Sequence, residues 1–70
     1  MTKTTKVLRL REERLRRGWS QTELAFYAHL SASDISKMET GRFLPFPAQA
    51  ARLAEVLGMA AEALLEEVEA

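Results

Sequence analysis

The sequence predicts an all-α domain of about five short helices, and three observations lead to that prediction. Its 70 residues suffice for one domain with a modest core. The composition is rich in Ala, Leu, Glu and Arg, which favour helices, and no stretch shows sustained alternation of apolar and polar residues. Three glycines and two prolines divide the chain into segments of helical length. We expect residues 1–5 to form a flexible tail and residues 6–70 to form the domain.

Helix one is predicted from about Lys6 to Arg17. Gly18 is expected to end it, because a glycine after a helix readily adopts the left-handed conformation. The apolar stripe of this helix is imperfect, and Arg14 lies on or beside it. The stripe consists of Val7, Leu8, Leu10 and Leu15.

Helices two and three are predicted to be joined by a tight turn. Ser20 and Glu23 have the spacing of a capping box, in which the two residues satisfy each other's backbone amides, so helix two begins at Ser20. Ser31 is the expected N-cap of helix three, which runs to about Thr40 and ends at Gly41. The residues expected to face the core are Trp19, Leu24, Ala25, Ala28, Ile35 and Met38.

Two further helices are predicted after a loop over residues 42–47. Helix four covers about Ala48 to Leu57, and Gly58 ends it. Helix five covers about Ala60 to Glu69. The core candidates on these helices are Ala51, Leu53, Ala54, Leu57, Leu64, Leu65 and Val68.

Charge is distributed unevenly along a chain whose net charge is zero. Residues 1–20 carry seven Lys or Arg against two Glu, a balance of +5, whereas residues 43–70 carry one Arg against five Glu, a balance of −4. Residues 21–42 stand at −1. Such a layout is typical of a molecule with one anion-facing end, although solvated helix faces would also produce it.

Several functional classes are disfavoured by what the chain lacks. It has no Cys, hence neither a disulfide framework nor a Cys-based zinc site, and its single His has no evident metal-binding partners. No paired carboxylates or phosphate-binding loop suggest an enzyme or a cofactor. No apolar run is long enough to span a bilayer or to act as a signal segment, so we expect a cytoplasmic protein.

Helices two and three carry the functional signal. Two short helices joined by a tight turn, the second with small polar outer residues, form a helix-turn-helix arrangement. The second helix of such a unit lies in the DNA major groove. Ala32 can contact a thymine methyl group, Ser33 and Ser36 can donate or accept hydrogen bonds, and Lys37 can reach guanine or a phosphate.

The sequence resembles the Cro/C1-type, phage-repressor-like (XRE) helix-turn-helix family over about residues 6–66. The resemblance implies a compact, lambda-repressor-like fold of five helices. Two positions depart from the family's pattern: His29 stands in the turn where Gly is usual, and Phe46 stands where a helix-capping Ser is usual. The matching residues are Arg14 to Gly18, Trp19 to Ala25, Ile35, Glu39, Gly41, Arg42, Pro45, Leu53, Ala54, Leu57, Gly58, Leu64 and Leu65.

Residue roles follow from this resemblance. Gln21, at the start of helix two, matches a phosphate-contacting position, and the Ser20 amide and hydroxyl are expected to act likewise. Arg14 and Glu39 match a pair that forms an ion pair between helices one and three. The full set of expected DNA-binding residues is Ser20, Gln21, Thr22, Ser31, Ala32, Ser33, Ser36, Lys37 and Arg42.

The predicted function is therefore sequence-specific binding of double-stranded DNA by a transcriptional regulator, acting as a repressor. A homodimer on a palindromic operator is expected, because helix three carries one basic residue and one copy reads few bases. The basic residues of helix one and of the tail are expected to hold phosphates. RNA polymerase or another regulatory protein is a further candidate partner. The resemblance implies a bacterial or phage-encoded protein that is nucleoid-associated when bound.

The apolar residues of helix two and of the loop leave an alternative open. Phe26 and Tyr27 either pack on one another and on helix four or form an exposed patch for a partner chain. The resemblance places the dimer surface in the region of helix four, helix five or the loop before them, and Phe43, Leu44 and Phe46 are a candidate partner or dimer patch. These residues and the zero net charge favour the rival interpretation, a protein-interaction module on the same fold, such as an antitoxin or an adaptor that sequesters another regulator.

Overall fold

The computed structural model describes residues 6–69 and contains five helices within them, so the prediction of a five-helix domain is confirmed, and two short strands are added to the predicted all-α architecture. The predicted tail, residues 1–5, lies outside the described residues. The elements in chain order are β1 (Lys6–Leu8), α1 (Arg9–Arg16), α2 (Gln21–Ala28), α3 (Ala32–Glu39), α4 (Pro47–Leu57), α5 (Ala61–Leu64) and β2 (Glu67–Glu69).

The two strands correct the predicted ends of helices one and five. Residues 6–8 and 67–69 were expected to be helical, but β1 and β2 pair antiparallel, with Val7 opposite Val68 and Leu8 opposite Glu67. The Arg9 amide extends the pairing by donating to the Glu66 carbonyl at 2.8 Å. Three residues per strand are too few to produce a recognisable alternation, and each strand needs the other end of the domain to satisfy its backbone.

The core lies where α1–α5 meet. Its fully buried apolar side chains come from every helix: Leu10, Leu24, Ile35, Met38, Leu53, Leu57 and Leu64. Among the predicted core residues of the last two helices, Ala51 is exposed and Val68 is half-buried, whereas the half-buried Ala54 and Leu65 pack against the core. Helix five ends at Leu64, so the residues after it no longer follow a helical face.

Helix α1 buries charge and exposes an apolar residue, contrary to the predicted stripe. Leu15 is 48% exposed, whereas Leu10, Glu13 and Arg14 are buried. At 3.6 residues per turn, Leu15 lies about 140° around the helix from Leu10, while Arg14 lies about 40° from it. The stripe was misplaced because Val7 and Leu8 belong to β1 and do not share a helical face with Leu10 and Leu15.

The turn between α2 and α3 depends on one non-glycine residue in the left-handed region. His29, the C-cap of α2, has φ 58° and ψ 44°. Its conformation lets the Leu30 amide reach the Ala25 carbonyl at 2.9 Å, which closes the end of α2. His29 therefore adopts the left-handed conformation that glycine usually supplies at this position, and the connection between α2 and α3 stays short.

Helix α4 begins at Pro47, one residue before its predicted start. Phe46 is the N-cap and has no side-chain acceptor, but its amide donates to Gln49 Oε1 at 2.8 Å. Proline suits the first helical position because its fixed φ matches the helix and its missing N–H is not needed there. The absence of a capping serine is therefore offset by residues 47 and 49.

Candidate nucleic-acid interface

The outer face of α3 is polar and small, and the opposite face is anchored in the core. Ile35 and Met38 are fully buried, whereas Ser33 and Lys37 are exposed and lie about 40° apart around the helix. Ala32 and Ser36 are half-buried at the margin of this face. The outer face of α3 therefore presents short side chains and one ammonium group to a binding partner.

Thr40 shares the outer face of α3 but was not among the expected contacts. Its hydroxyl donates to the Ser36 and Lys37 carbonyls at 3.1 and 3.3 Å, and so gives carbonyl groups at the C-terminal end of α3 a hydrogen-bond donor. Ser31 serves the other end, where its Oγ accepts from the Asp34 amide at 3.0 Å. The oxygen of Ser31 is therefore occupied by capping.

The N-terminus of α2 has a complete capping box. The Glu23 amide donates to Ser20 Oγ at 3.0 Å, and the Ser20 amide donates to Glu23 Oε1 at 2.8 Å. The Ser20 amide was expected to be available to a phosphate, but Glu23 already occupies it. The Ser-x-x-Glu spacing could have indicated this from the sequence. Within residues 6–69, the backbone amides of Gln21 and Thr22 have no hydrogen-bond partner.

The Gln21 side chain is half-buried and turns towards α3. Its Nε2 donates to Glu39 Oε1 at 3.1 Å, which joins the first residue of α2 to the last residue of α3. This contact was not expected from the sequence. No local sequence pattern predicts this hydrogen bond, because the two residues are 18 positions apart and meet only when the helices have packed.

Arg14 and Glu39 form a buried bidentate ion pair that holds the site together. Arg14 Nε and Nη2 donate to Glu39 Oε2 and Oε1 at 2.6 and 3.0 Å, and the two side chains are 8% and 1% exposed. Arg14 Nη1 donates to the Trp19 carbonyl at 2.6 Å. One guanidinium thus ties α1 to α3 and to the segment that leads into α2. Among residues 6–69, every buried side-chain N or O atom has a partner.

Within residues 6–69, the basic side chains differ in whether the fold already engages them. Arg9 pairs with Glu12 and Glu66, and Arg17 pairs with Glu13 and also donates to the Leu57 carbonyl at 2.7 Å. These arginines are engaged within the fold. Lys37 and Arg42 are exposed, and in the part of the chain that the structure describes neither takes part in an ion pair. They are therefore available to an external anion.

The aromatic residues of α2 pack on one another yet stay exposed. Tyr27 lies against Trp19 with ring centroids 4.8 Å apart, and Phe26 meets Tyr27 edge-on at 5.5 Å. Phe26 is nevertheless 76% exposed and Tyr27 is 48% exposed. Trp19 is half-buried against the core. Mutual packing therefore does not remove this aromatic surface from solvent.

The residues of the predicted loop patch separate into two kinds. Phe43 is half-buried and packs against the core, so it acts as a core residue. Leu44 and Phe46 are 68% and 72% exposed. We call these two residues the loop patch. It lies in the loop between α3 and α4, after the exposed cation Arg42 and before the start of α4.

Neither a metal-binding cluster nor a membrane-spanning helix is found within residues 6–69. Three or more His, Asp or Glu side chains do not come together there in a way that could hold a metal ion. None of the helices in this range is long and apolar enough to cross a membrane.

A family model and several solved structures match this chain. A family model described as a helix-turn-helix domain matches residues 7–68. The restriction-modification controller protein C.AhdI from Aeromonas hydrophila is 34% identical, with a TM-score of 0.73, over 80% of this chain and 85% of that chain. The hypothetical transcription factor NHTF from Neisseria is 36% identical, with a TM-score of 0.72, over 80% of this chain and 63% of that chain.

A third solved structure contains nucleic acid. The biofilm master regulator SinR, crystallised in complex with DNA, is 27% identical, with a TM-score of 0.74, over 83% of this chain and 94% of that chain. No match was found among curated protein sequences.

Proposed function

Because this chain belongs to the helix-turn-helix domain family, in its Cro/C1 type, we propose that this DNA-binding regulator acts as a repressor on a palindromic operator, as a homodimer. The observation that carries the proposal is the face of α3. It presents Ser33 and Lys37 outward while Ile35 and Met38 anchor the helix in the core.

In the proposed arrangement α3 lies in the major groove with its first turns towards the base edges. Ser33 and Ser36 read hydrogen-bonding groups, Ala32 contacts a thymine methyl, and Lys37 reaches guanine or a phosphate. The unoccupied amides of Gln21 and Thr22 lie at the positive end of the α2 dipole and bind a backbone phosphate. Arg42, just past α3, holds a second phosphate. Ser20 and Ser31 support these contacts as caps.

A dimer is proposed because one copy has little to bind with. Lys37 is the one basic residue of α3, and the operator contacts of a single face cover few bases. Two copies related by a two-fold axis would place their α3 helices in successive major grooves, about 34 Å apart. The loop patch is the proposed dimer surface, since its two apolar side chains are exposed in the loop between α3 and α4.

The second candidate function is a protein-interaction module that sequesters another regulator. It is favoured by the exposed aromatic surface of Phe26 and Tyr27 and by the loop patch, which together leave large apolar side chains in contact with water.

Selection of bound duplexes from a random pool distinguishes the two functions. At about 0.1 M salt, we expect enrichment of a palindrome whose half-sites are about one helical turn apart. The salt concentration must be fixed, because phosphate contacts weaken steeply as salt rises. If no sequence is enriched while the protein stays folded, the repressor proposal is wrong and the interaction module is favoured.

Replacing Glu23 with Gln is expected to strengthen DNA binding. The carboxylate lies at the α2 N-terminus, where the phosphate is proposed to bind, so it repels the phosphate. Glutamine can maintain the capping box without this charge. We expect affinity to rise about threefold to tenfold at low salt, as measured by fluorescence anisotropy of a labelled duplex.

Glu62→Gln is the matched control, because it removes the same charge from an exposed position on α5. An equal gain in both variants would mean that net charge alone acts, and would contradict a phosphate site at α2.

Replacing Leu44 and Phe46 with Ser is expected to weaken dimerisation without unfolding the domain. Both side chains are mostly exposed in the single chain, so little core packing is lost. Analytical ultracentrifugation should show the dissociation constant rising at least tenfold, with an unchanged helical signal by circular dichroism. Phe26→Ser removes an equally exposed aromatic side chain from α2 as the control. If Phe26→Ser has the larger effect, the dimer surface is on α2.

A further inference from the structure

The side chain of Gln21 is held in one orientation by a buried charge. Glu39 is 1% exposed, and its Oε1 accepts from both Arg14 Nη2 at 3.0 Å and Gln21 Nε2 at 3.1 Å. An ionised carboxylate is an acceptor only, so the carboxamide must present its NH₂ group to Glu39 and its oxygen elsewhere. Chemistry therefore determines which way this amide points.

The same half-buried side chain has unused hydrogen-bonding capacity. An NH₂ group carries two protons, and one of them is used on Glu39. Within residues 6–69, neither Gln21 Oε1 nor the Gln21 backbone amide has a hydrogen-bond partner. The second side-chain proton and the backbone amide both belong to the first residue of α2.

We propose that Glu39 is a positioning residue for DNA binding: through Gln21 it holds a side-chain donor at the α2 N-terminus, ready for a backbone phosphate. This inference rests on the proposed DNA-binding function. The ion pair with Arg14 and the phosphate contact of Gln21 are then parts of one network that also reaches the Trp19 carbonyl. A glutamine without this restraint loses rotamer freedom on binding, at a cost of about threefold to tenfold in affinity.

The hydrogen bond can be observed without DNA. The chain has two glutamines, Gln21 and Gln49, and no asparagine, so its side-chain NH₂ region contains two pairs of signals. In a nitrogen-15 spectrum of the full chain, we expect one Gln21 proton to lie downfield and to exchange slowly. Glu39→Asp keeps the charge for Arg14 but withdraws it by one methylene, so the Gln21 pair should move while the Gln49 pair stays. Gln21 signals that resemble those of Gln49 and ignore Glu39→Asp would overturn the proposal.

A double-mutant cycle tests the consequence for binding. The probe is a labelled duplex of about 20 base pairs with random sequence, at low salt, because a phosphate contact does not depend on sequence. We expect Gln21→Ala to weaken binding about fivefold to tenfold in the native chain and less than twofold in the Glu39→Asp background. Circular dichroism checks that each variant is folded.

The outcomes separate the two proposals. Equal losses in both backgrounds would overturn the positioning role of Glu39 and leave the phosphate contact standing. No loss from Gln21→Ala in the native chain would overturn the phosphate contact itself, and the positioning role with it. If Glu39→Asp does not fold, Gln21→Asn leaves Glu39 and Arg14 intact but retracts the amide. Native-like binding by that variant would overturn the proposal, and a loss matching Gln21→Ala would support it when the native Gln21 pair is also downfield and slow to exchange.

Discussion

Replacing Glu39 with Ala is expected to destabilise the domain by about 3–5 kcal/mol, because it leaves the buried Arg14 guanidinium without its counter-charge. A chain of this length has a free energy of unfolding of roughly 4–10 kcal/mol, from roughly 0.05–0.15 kcal/mol per residue. The loss is therefore roughly 30% of the free energy of unfolding or more. The melting temperature should fall by about 12–40 °C.

Urea unfolding followed by Trp19 fluorescence measures this loss, since Trp19 is the only tryptophan and its carbonyl is bound by Arg14. The control replaces both charges, Arg14→Met together with Glu39→Met. Apolar residues of similar volume remove the charge that would be left unpaired, so the double variant should lose less stability than Glu39→Ala alone. The Trp19 carbonyl and the Gln21 amide still lose a partner, at about 1 kcal/mol each. A double variant as unstable as Glu39→Ala would contradict the unpaired-charge explanation.

Replacing Ser33 with Glu is expected to abolish specific DNA binding, with a loss of at least about 100-fold, while the fold is kept. Ser33 lies at the middle of the exposed face of α3, where a carboxylate would meet the phosphates and base edges of the groove. The same carboxylate lies in the first turn of α3, where the helix dipole favours negative charge. We therefore expect the free energy of unfolding to stay the same or to rise while the affinity for DNA falls.

Ser33→Gln is the matched control, because it adds a side chain of the same size without the charge. We expect it to retain binding to within about tenfold and to shift base preference at one position of the half-site. Anisotropy titrations with the selected operator, together with urea unfolding, provide both readouts. If Ser33→Glu binds the operator as tightly as Ser33→Gln, α3 does not enter the groove through this face.

The helix-turn-helix could be predicted from the sequence because its boundaries depend on local hydrogen bonds. Ser20 with Glu23, and Ser31 with Asp34, are three residues apart, and their caps form in the structure at 2.8–3.0 Å. The turn after α2 is also closed by a local hydrogen bond, from the Leu30 amide to the Ala25 carbonyl, with His29 in the left-handed conformation. Where a boundary depended on distant parts of the chain, as at β1 and β2, the prediction was wrong.

The candidate site was predicted less completely, and the missing parts share one cause. The outer residues of α3 follow from helical spacing, whereas the bond from Gln21 to Glu39 and the separation of Phe43 from the loop patch need packed neighbours. Leu15 was predicted to lie on the apolar stripe of helix one, but it is exposed. Its apolar side chain is exposed because the buried face of α1 is centred on Leu10 and Arg14.

The sequence by itself determined five helices and the helix-turn-helix, together with the polar face of α3, because caps, turns and helical periodicity act within a few residues. Only the tertiary structure decided how the two ends of the domain pair as strands and which charges are buried. It also decided that Glu39 restrains Gln21. These outcomes depend on contacts between segments distant along the chain, and such contacts form only when the desolvation of each group is offset by partners from other elements.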